Sequence, residues 1–519
     1  MNNNAAAIFR SLIVYAVCVP LAIFVGYTLT NPLDYSTLGF YGVIIMLMVM
    51  PILLRWHYPL LLLCWNMNIL AFFLPSQPMI WLPMLAVSLT LSVLERIMSN
   101  EMHFIRVPQV TWPLVALMAV VFFTAEMTGG FGFRSLGGES IYGGKKYVYL
   151  IAGILSYFAL TSRPIPPEKA QRYVAYFLLG GLAAFIGDLY PLVPAPLHFL
   201  FLLSPPSGYA ENEQGEFEMA FGTTRLGGVA VSAIAVVTWM LAKYGLRGIF
   251  LSGKIWRPFL FLLFFGMIFL GGFRSMIVLV VLVVAVQFFL EGLHRSRLLL
   301  PSIFMVVTTV ALLIPFARYL PQTFQRSLSI LPLNIDPQIR MDAEGSSDWR
   351  LAIWKALLPE VPQHLLLGKG FGIQIETFNE VAGNSPFRAI DPGQDPLAIS
   401  SDFHSGPLSL VLCLGLWGTI AWLWFWGASL RVMYLNYKYG SPELRNINRL
   451  FFGLFIVKCL IYIFIFGAVQ NDIAVFASMI GLSVALNNGV CRPAPKPAPV
   501  SQPVTVARRF PAPRPVFQR

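Results

Sequence analysis

The chain runs to 519 residues, 57% of them hydrophobic and 12% charged, with a mean hydropathy of +0.70. An ordinary soluble domain carries roughly 25% charged residues, so water is excluded as the main solvent. The formal net charge of +12 does not point to nucleic acid, because Lys and Arg gather in alternate loops between apolar runs and no zinc-finger, RNA-binding or helix-turn-helix pattern accompanies them.

A bilayer core takes roughly 20 apolar residues per helix. The punctuation of apolar runs therefore predicts an all-α, polytopic integral membrane protein with about fourteen transmembrane helices and one large periplasmic loop. The opening MNNNAAAIFRS leads into an apolar stretch without a small-residue cleavage site and reads as a retained first span. Spans are expected at 11–28, 38–54, 58–74, 79–94, 110–126, 147–161 and 173–189, then at 226–242, 258–272, 275–290, 298–315, 405–430, 450–467 and 473–487. Residues 1–315 thus hold the first eleven helices, with outward loops at 127–146, rich in Gly, and at 190–225, which contains Glu211, Glu213, Glu216 and Glu218. Residues 316–404 form the large periplasmic loop with short interfacial helices, and 405–489 hold the last three spans. The tail, 490–519, has six Arg or Lys, eight Pro and no acid; such a segment buries no core and is expected to be disordered beside anionic headgroups.

Orientation follows from the cations. With the N-terminus cytoplasmic, the inside loops carry Lys243, Arg247, Lys254 and Arg257, then His294, Arg295 and Arg297, then Arg431, Lys438, Arg445 and Arg449, and the C-terminus falls inside as well. No internal repeat marks an inverted-repeat transporter. The five cysteines, Cys18, Cys64, Cys413, Cys459 and Cys491, form no CxxC pair, which supports neither a disulfide framework nor a zinc site.

Chemistry-bearing residues collect on the outward side. SSDWRLAIWKALLPEVPQ predicts a short interfacial helix capped by Ser347 or Asp348, with Trp349, Ile353 and Leu357 on one face and Pro359 near its stop; Arg350 then lies in its first turn, at headgroup depth. GKGFG at 368–372 lacks the Lys-Ser/Thr pair and the strand-helix context of a nucleotide loop and reads as a tight turn. His404, in SSDFHSGPLSL, sits at the mouth of the next span, where a lone histidine is ordinarily interfacial. Arg274 turns the hairpin LGGFRSMIVL, and Arg225 stands where FGTTRLGGVAV re-enters the bilayer. A snorkelling cation would explain each arginine singly, but the charge rule makes outward arginines scarce unless they are needed. Guanidinium forks suit phosphate oxygens, and an imidazole takes a proton from an alcohol. Asp402 reads as an acid orienting His404 or as a solvated loop acid. Lys458, within FFGLFIVKCLIYIFIFG, costs at least a few kcal/mol in a span unless it finds a partner; the candidates are a carrier phosphate and a helix end. Glu126, Asp188 and Asp472, near outward span ends, read as rim or acceptor-pocket groups.

RLGG at Arg225, FRS at Arg274, DWR at Arg350 with GKGFG downstream, and DFHSGPLSL at His404 followed by LGLWG together resemble the O-antigen ligase and O-antigen polymerase superfamily of bacterial envelope glycan assembly, over about the second half of the chain. The resemblance implies catalytic roles for Arg274, Arg350 and His404 and substrate binding at Arg225. Where the family often has His-Asn, this chain has His404-Ser405. The resemblance further implies a bacterial inner-membrane enzyme that moves a glycan from a polyprenyl pyrophosphate donor to a saccharide or lipid-saccharide acceptor hydroxyl, without metal or cofactor, with an envelope polysaccharide assembly complex as a candidate partner. The sequence agrees in having no DxD pair and no His or Cys cluster at metal spacing. A transporter or flippase for lipid-linked saccharide is the competing reading, favoured by Lys458 and disfavoured by otherwise nearly charge-free spans. A non-catalytic scaffold acting through the basic tail is a third.

Overall fold

A computed structural model describes residues 35–72, 74, 77–99, 103–129, 141–142, 144–205, 225–297, 299–374 and 403–493, with isolated positions before residue 35. The first expected span and the tail beyond 493 lie mainly outside the described residues, as do Asp402 and the four glutamates of the second loop. What is described is overwhelmingly helical. Seven helices are long and apolar enough to cross a membrane, joined by shorter apolar helices.

The main helices are α1 (Tyr35–Cys64), α2 (Trp81–Met98), α3 (Pro108–Thr128), α4 (Gly144–Leu160), α5 (Pro167–Leu179), α6 (Gly227–Phe250), α7 (Trp256–Met267) and α8 (Arg274–Leu290). They continue with α9 (Leu299–Phe316), α10 (Gln322–Leu328), α11 (Pro337–Leu357), α12 (Gly406–Tyr439), α13 (Arg445–Phe464) and α14 (Val469–Leu486). The expected spans 38–54 and 58–74 are not two helices: α1 runs unbroken through Arg55, Trp56 and His57. His57, which reads as a loop residue, is fully buried and shares a 2.9 Å hydrogen bond with Ser88 of α2. Paired polar groups of this kind can sit inside a helix bundle without ending a helix.

The densest packing sets α4 against α14, followed by α3 against α12. Small residues let backbones approach: a Cβ on Gly153 of α4 would fall 2.6 Å from Ile473 Cγ2, and one on Gly406 would fall 2.4 Å from the Tyr462 carbonyl, the kind of close crossing that van der Waals packing in a membrane favours. Trp422 stacks on Tyr462 at 5.3 Å between ring centroids and meets Phe476 edge-on. By contrast, α9 has no buried residue among those described, with Leu300 and Phe304 more than 70% exposed; so apolar a helix turned outward requires a solvent other than water.

The loops at 127–146 and 316–404 pair as β1 (Ile141–Tyr142) and β2 (Ile373–Gln374), antiparallel, with Ile141 opposite Gln374. The second of these loops also has a small core of its own, in which Ala317, Leu328, Leu333 and Ile335 pack together and Phe324 stacks on Phe269 below α7 at 5.2 Å. GKGFG is a buried turn. Gly368 and Gly370 have φ of 76° and 69°, and a Cβ on Gly368 would meet the Cys413 carbonyl at 2.4 Å. That approach meets a kink in α12 at Gly415, φ 66°, where Lys369 and Gly370 donate their amides to the carbonyls of Leu412 and Cys413.

Candidate functional site

The helix read as starting at Ser347 or Asp348 begins ten residues earlier. Asp336 caps it, accepting from the Gln338 amide at 2.8 Å, and Pro337 opens it, an Asp-Pro start that suits an N-cap followed by a residue with no amide to satisfy. Gly345-Ser346-Ser347, which looks like a break, lies inside the helix. Arg350 is therefore in the fourth turn of α11 and not the first.

That correction explains how the site is assembled. Ala343, Ser347 and Arg350 recur at i, i+4 and i+7 and share one face of α11. Arg274, the first residue of α8, donates to the Ala343 carbonyl at 2.8 Å and to the Ser347 hydroxyl at 3.1 Å. Arg326 of α10 pairs with Asp342 of α11 and donates to the Gly272 carbonyl at 3.1 Å. Gly272, φ 67°, forms the turn before α8, and Arg225 lies along it: a Cβ at Gly272 would touch Arg225 Cγ at 3.6 Å, and the guanidinium stands 5.5 Å from the Phe273 ring. Burial, and then the positive charges of Arg274 and Arg326, push the Arg350 guanidinium below its usual pKa, and its Nε is buried with no hydrogen-bond partner. A guanidinium stays protonated regardless, so an anion placed here would relieve these repulsions, whereas loss of a proton would not.

His404 joins the cluster through the residue before Arg350. Its ring meets Trp349 edge-on at 5.4 Å and Phe466 at 5.0 Å. His404 has φ 50°, a left-handed conformation that costs a non-glycine residue about 1–2 kcal/mol and that collects at functional positions. Trp354, also on α11, holds the adjacent backbone by donating its indole N–H to the Phe403 carbonyl at 2.8 Å. Gly406 and Gly467 seat this corner against Tyr462.

Four of the sequence-selected residues, Arg225, Arg274, Arg350 and His404, thus meet around α11 and the Gly272 turn. Lys458 is half-buried in α13, six residues from its end at Phe464, a rise of roughly 9 Å, and among the described residues no hydrogen bond or ion pair links it to the arginines. Two acids have local duties. Asp188 is buried and accepts from the Val229 amide at 2.6 Å at the start of α6, and Asp472 accepts from the Ala468 amide at 2.8 Å at the start of α14. Glu126 is exposed near the end of α3. Sequence reasoning missed Arg326 and Asp342; the one available signal was that Arg326 is a further arginine on the outward side.

The Arg326–Asp342 pair predicts a measurable cost. Asp342→Asn leaves Arg326 facing Arg274 and Arg350 without its carboxylate, and is expected to lower the unfolding free energy by about 1–3 kcal/mol, seen as a lower thermal midpoint of the detergent-solubilised protein. An unchanged midpoint would show the pair to be dispensable.

The fold and this cluster define a multi-helix membrane protein with a cationic, histidine-bearing site at one end of its bundle. Residues 259–423, about a third of the chain, match the family model described as O-antigen ligase. The matched stretch contains Arg274, Arg326, Arg350 and His404 and leaves out Arg225 and Lys458. No curated protein matches the chain. The family description supports an enzyme that transfers glycan at a membrane in O-antigen assembly.

Proposed function

We propose that the protein transfers a glycan from a polyprenyl pyrophosphate carrier to an acceptor hydroxyl at the periplasmic face of the bacterial inner membrane, as a polymerase of repeat units or a ligase. The observation that carries this reading is the convergence on α11 of Arg274, Arg350 and the His404 ring beside Trp349, within the segment that matches the family.

The step is a single displacement. The acceptor oxygen attacks the anomeric carbon while its proton passes to the His404 imidazole. The bond from that carbon to the carrier oxygen breaks, and the electron pair leaves with the diphosphate. Arg350 and Arg274 meet the growing negative charge from positions fixed before reaction, where stabilisation costs no reorganisation. Arg225 is assigned to the same carrier. Lys458 and Asp402 remain candidate substrate contacts, the first for the carrier's phosphate and the second for orienting His404. The arginines supply the positive charge that a metal supplies elsewhere, and no cofactor enters the scheme.

Purified full-length protein, given a lipid-linked oligosaccharide and a saccharide acceptor, is expected to release polyprenyl pyrophosphate in step with glycan transfer. Movement of the intact lipid-linked substrate across a vesicle membrane without bond breaking would replace this reading with that of a flippase.

A further inference from the structure

At the end of the bundle opposite His404 lies a cavity of about 820 Å³, within the 300–1,000 Å³ typical of ligand pockets. Arg431, in its wall, follows the Gly415 kink of α12 by 16 residues, a rise of roughly 24 Å, so this site is separate from the one at the mouth of α12. It is lined by Arg106, Arg163, Arg431 and Arg492 with His103 and Gln109, and among the described residues its lining has no Asp or Glu.

The arginines come from four segments whose backbones are tied down. Ile105 donates its amide to the Thr161 carbonyl at 2.9 Å, which fixes Arg106 beside the segment bearing Arg163. Asn436, fully buried in α12, accepts from the Cys491 amide at 2.9 Å and donates to the Gly489 carbonyl at 3.3 Å, which fixes Arg492 beside Arg431. Arg163 is compensated from behind by Glu95 of α2, yet its Nε is buried without a hydrogen-bond partner. Arg106, Arg431 and Arg492 are exposed and have no ion pair among the described residues. Topology alone accounts for cations at this end of the helices, but not for three uncompensated guanidiniums held around one concavity. Such an arrangement attracts an anion, and planar forks in several orientations suit the oxygens of phosphate.

We propose that this cavity binds a phosphate group, carried by an anionic phospholipid headgroup or free in solution. The test uses the full chain, delipidated in detergent, and a variant combining Arg431→Gln with Arg492→Gln. Phosphatidylglycerol, phosphatidylcholine and inorganic phosphate are the probes, with lipid retention read by native mass spectrometry and the ion by calorimetry. Wild type is expected to retain one phosphatidylglycerol in preference to phosphatidylcholine, and the double variant to bind it about thirtyfold more weakly, since each of its two lost cations near an anionic surface is worth about 1 kcal/mol. Binding of inorganic phosphate that the variant loses, with no lipid preference, supports the site and assigns it to the free ion. Arg106→Gln should weaken the same probe independently, and an unchanged thermal midpoint in both variants separates lost binding from misfolding. Equal binding of every probe by wild type and variants, or no binding at all, overturns the proposal.

Discussion

A His404→Ala protein is expected to reach the membrane in normal amount and to lose glycan transfer by about 10²–10⁴-fold, the range that a positioned general base contributes. The His404 ring rests edge-on against Trp349 and Phe466, while the local backbone is held independently by the Trp354 bond to the Phe403 carbonyl. Replacing it by asparagine preserves polarity and tolerates the left-handed backbone, but offers no basic nitrogen, and should be equally inactive. Membrane level by immunoblot and transfer by in vitro assay would be measured together. Full activity in either variant would remove the imidazole from the proton transfer.

The second large effect belongs to Arg350. Its unpartnered Nε and its repulsion by Arg274 and Arg326 suit it to donate to an anionic ligand from outside the chain. Arg350→Ala is expected to lower the rate of transfer by about 10²–10³-fold, as loss of one preorganised charge-stabilising donor does. Arg350→Lys should recover only part of that, because an ammonium keeps the charge but not the planar fork. Removing one of three crowded cations relieves repulsion, so the alanine variant should be no less thermally stable than wild type. A variant that is inactive because its melting point has collapsed would argue instead for a structural Arg350. Arg274 behaves differently, since its bonds to Ala343 and Ser347 give it a part in holding α11 as well.

Much of this was legible in one sequence. Apolar length located most helices because backbone hydrogen bonding inside a bilayer leaves the chain few alternatives. The outward arginines and His404 stood out because the charge rule makes cations on that side exceptional. What stayed hidden depended on distance along the chain. Arg326 bonds a carbonyl 54 residues away and an acid 16 residues away, and neither partner leaves a local pattern. The helix α11 was cut short because Gly345 and two serines resemble a stop, whereas the Asp-Pro pair that starts it lies ten residues upstream. The helix α1 was divided at His57 because a buried polar contact with Ser88 looks, in sequence, like a loop.

The outward-facing α9 imposes an unusual rule on its own evolution. Most of its described surface is exposed, with Leu313 packed against the small core, so the residues of its exposed face are free to drift among Leu, Val, Ile, Met and Phe provided thickness is matched to the surrounding hydrocarbon. Its length is not free, because it delivers the chain to Ala317 and to the small core that carries Arg326. Substitutions there should be silent, while the loss or gain of a helical turn should displace an arginine that α9 itself never touches.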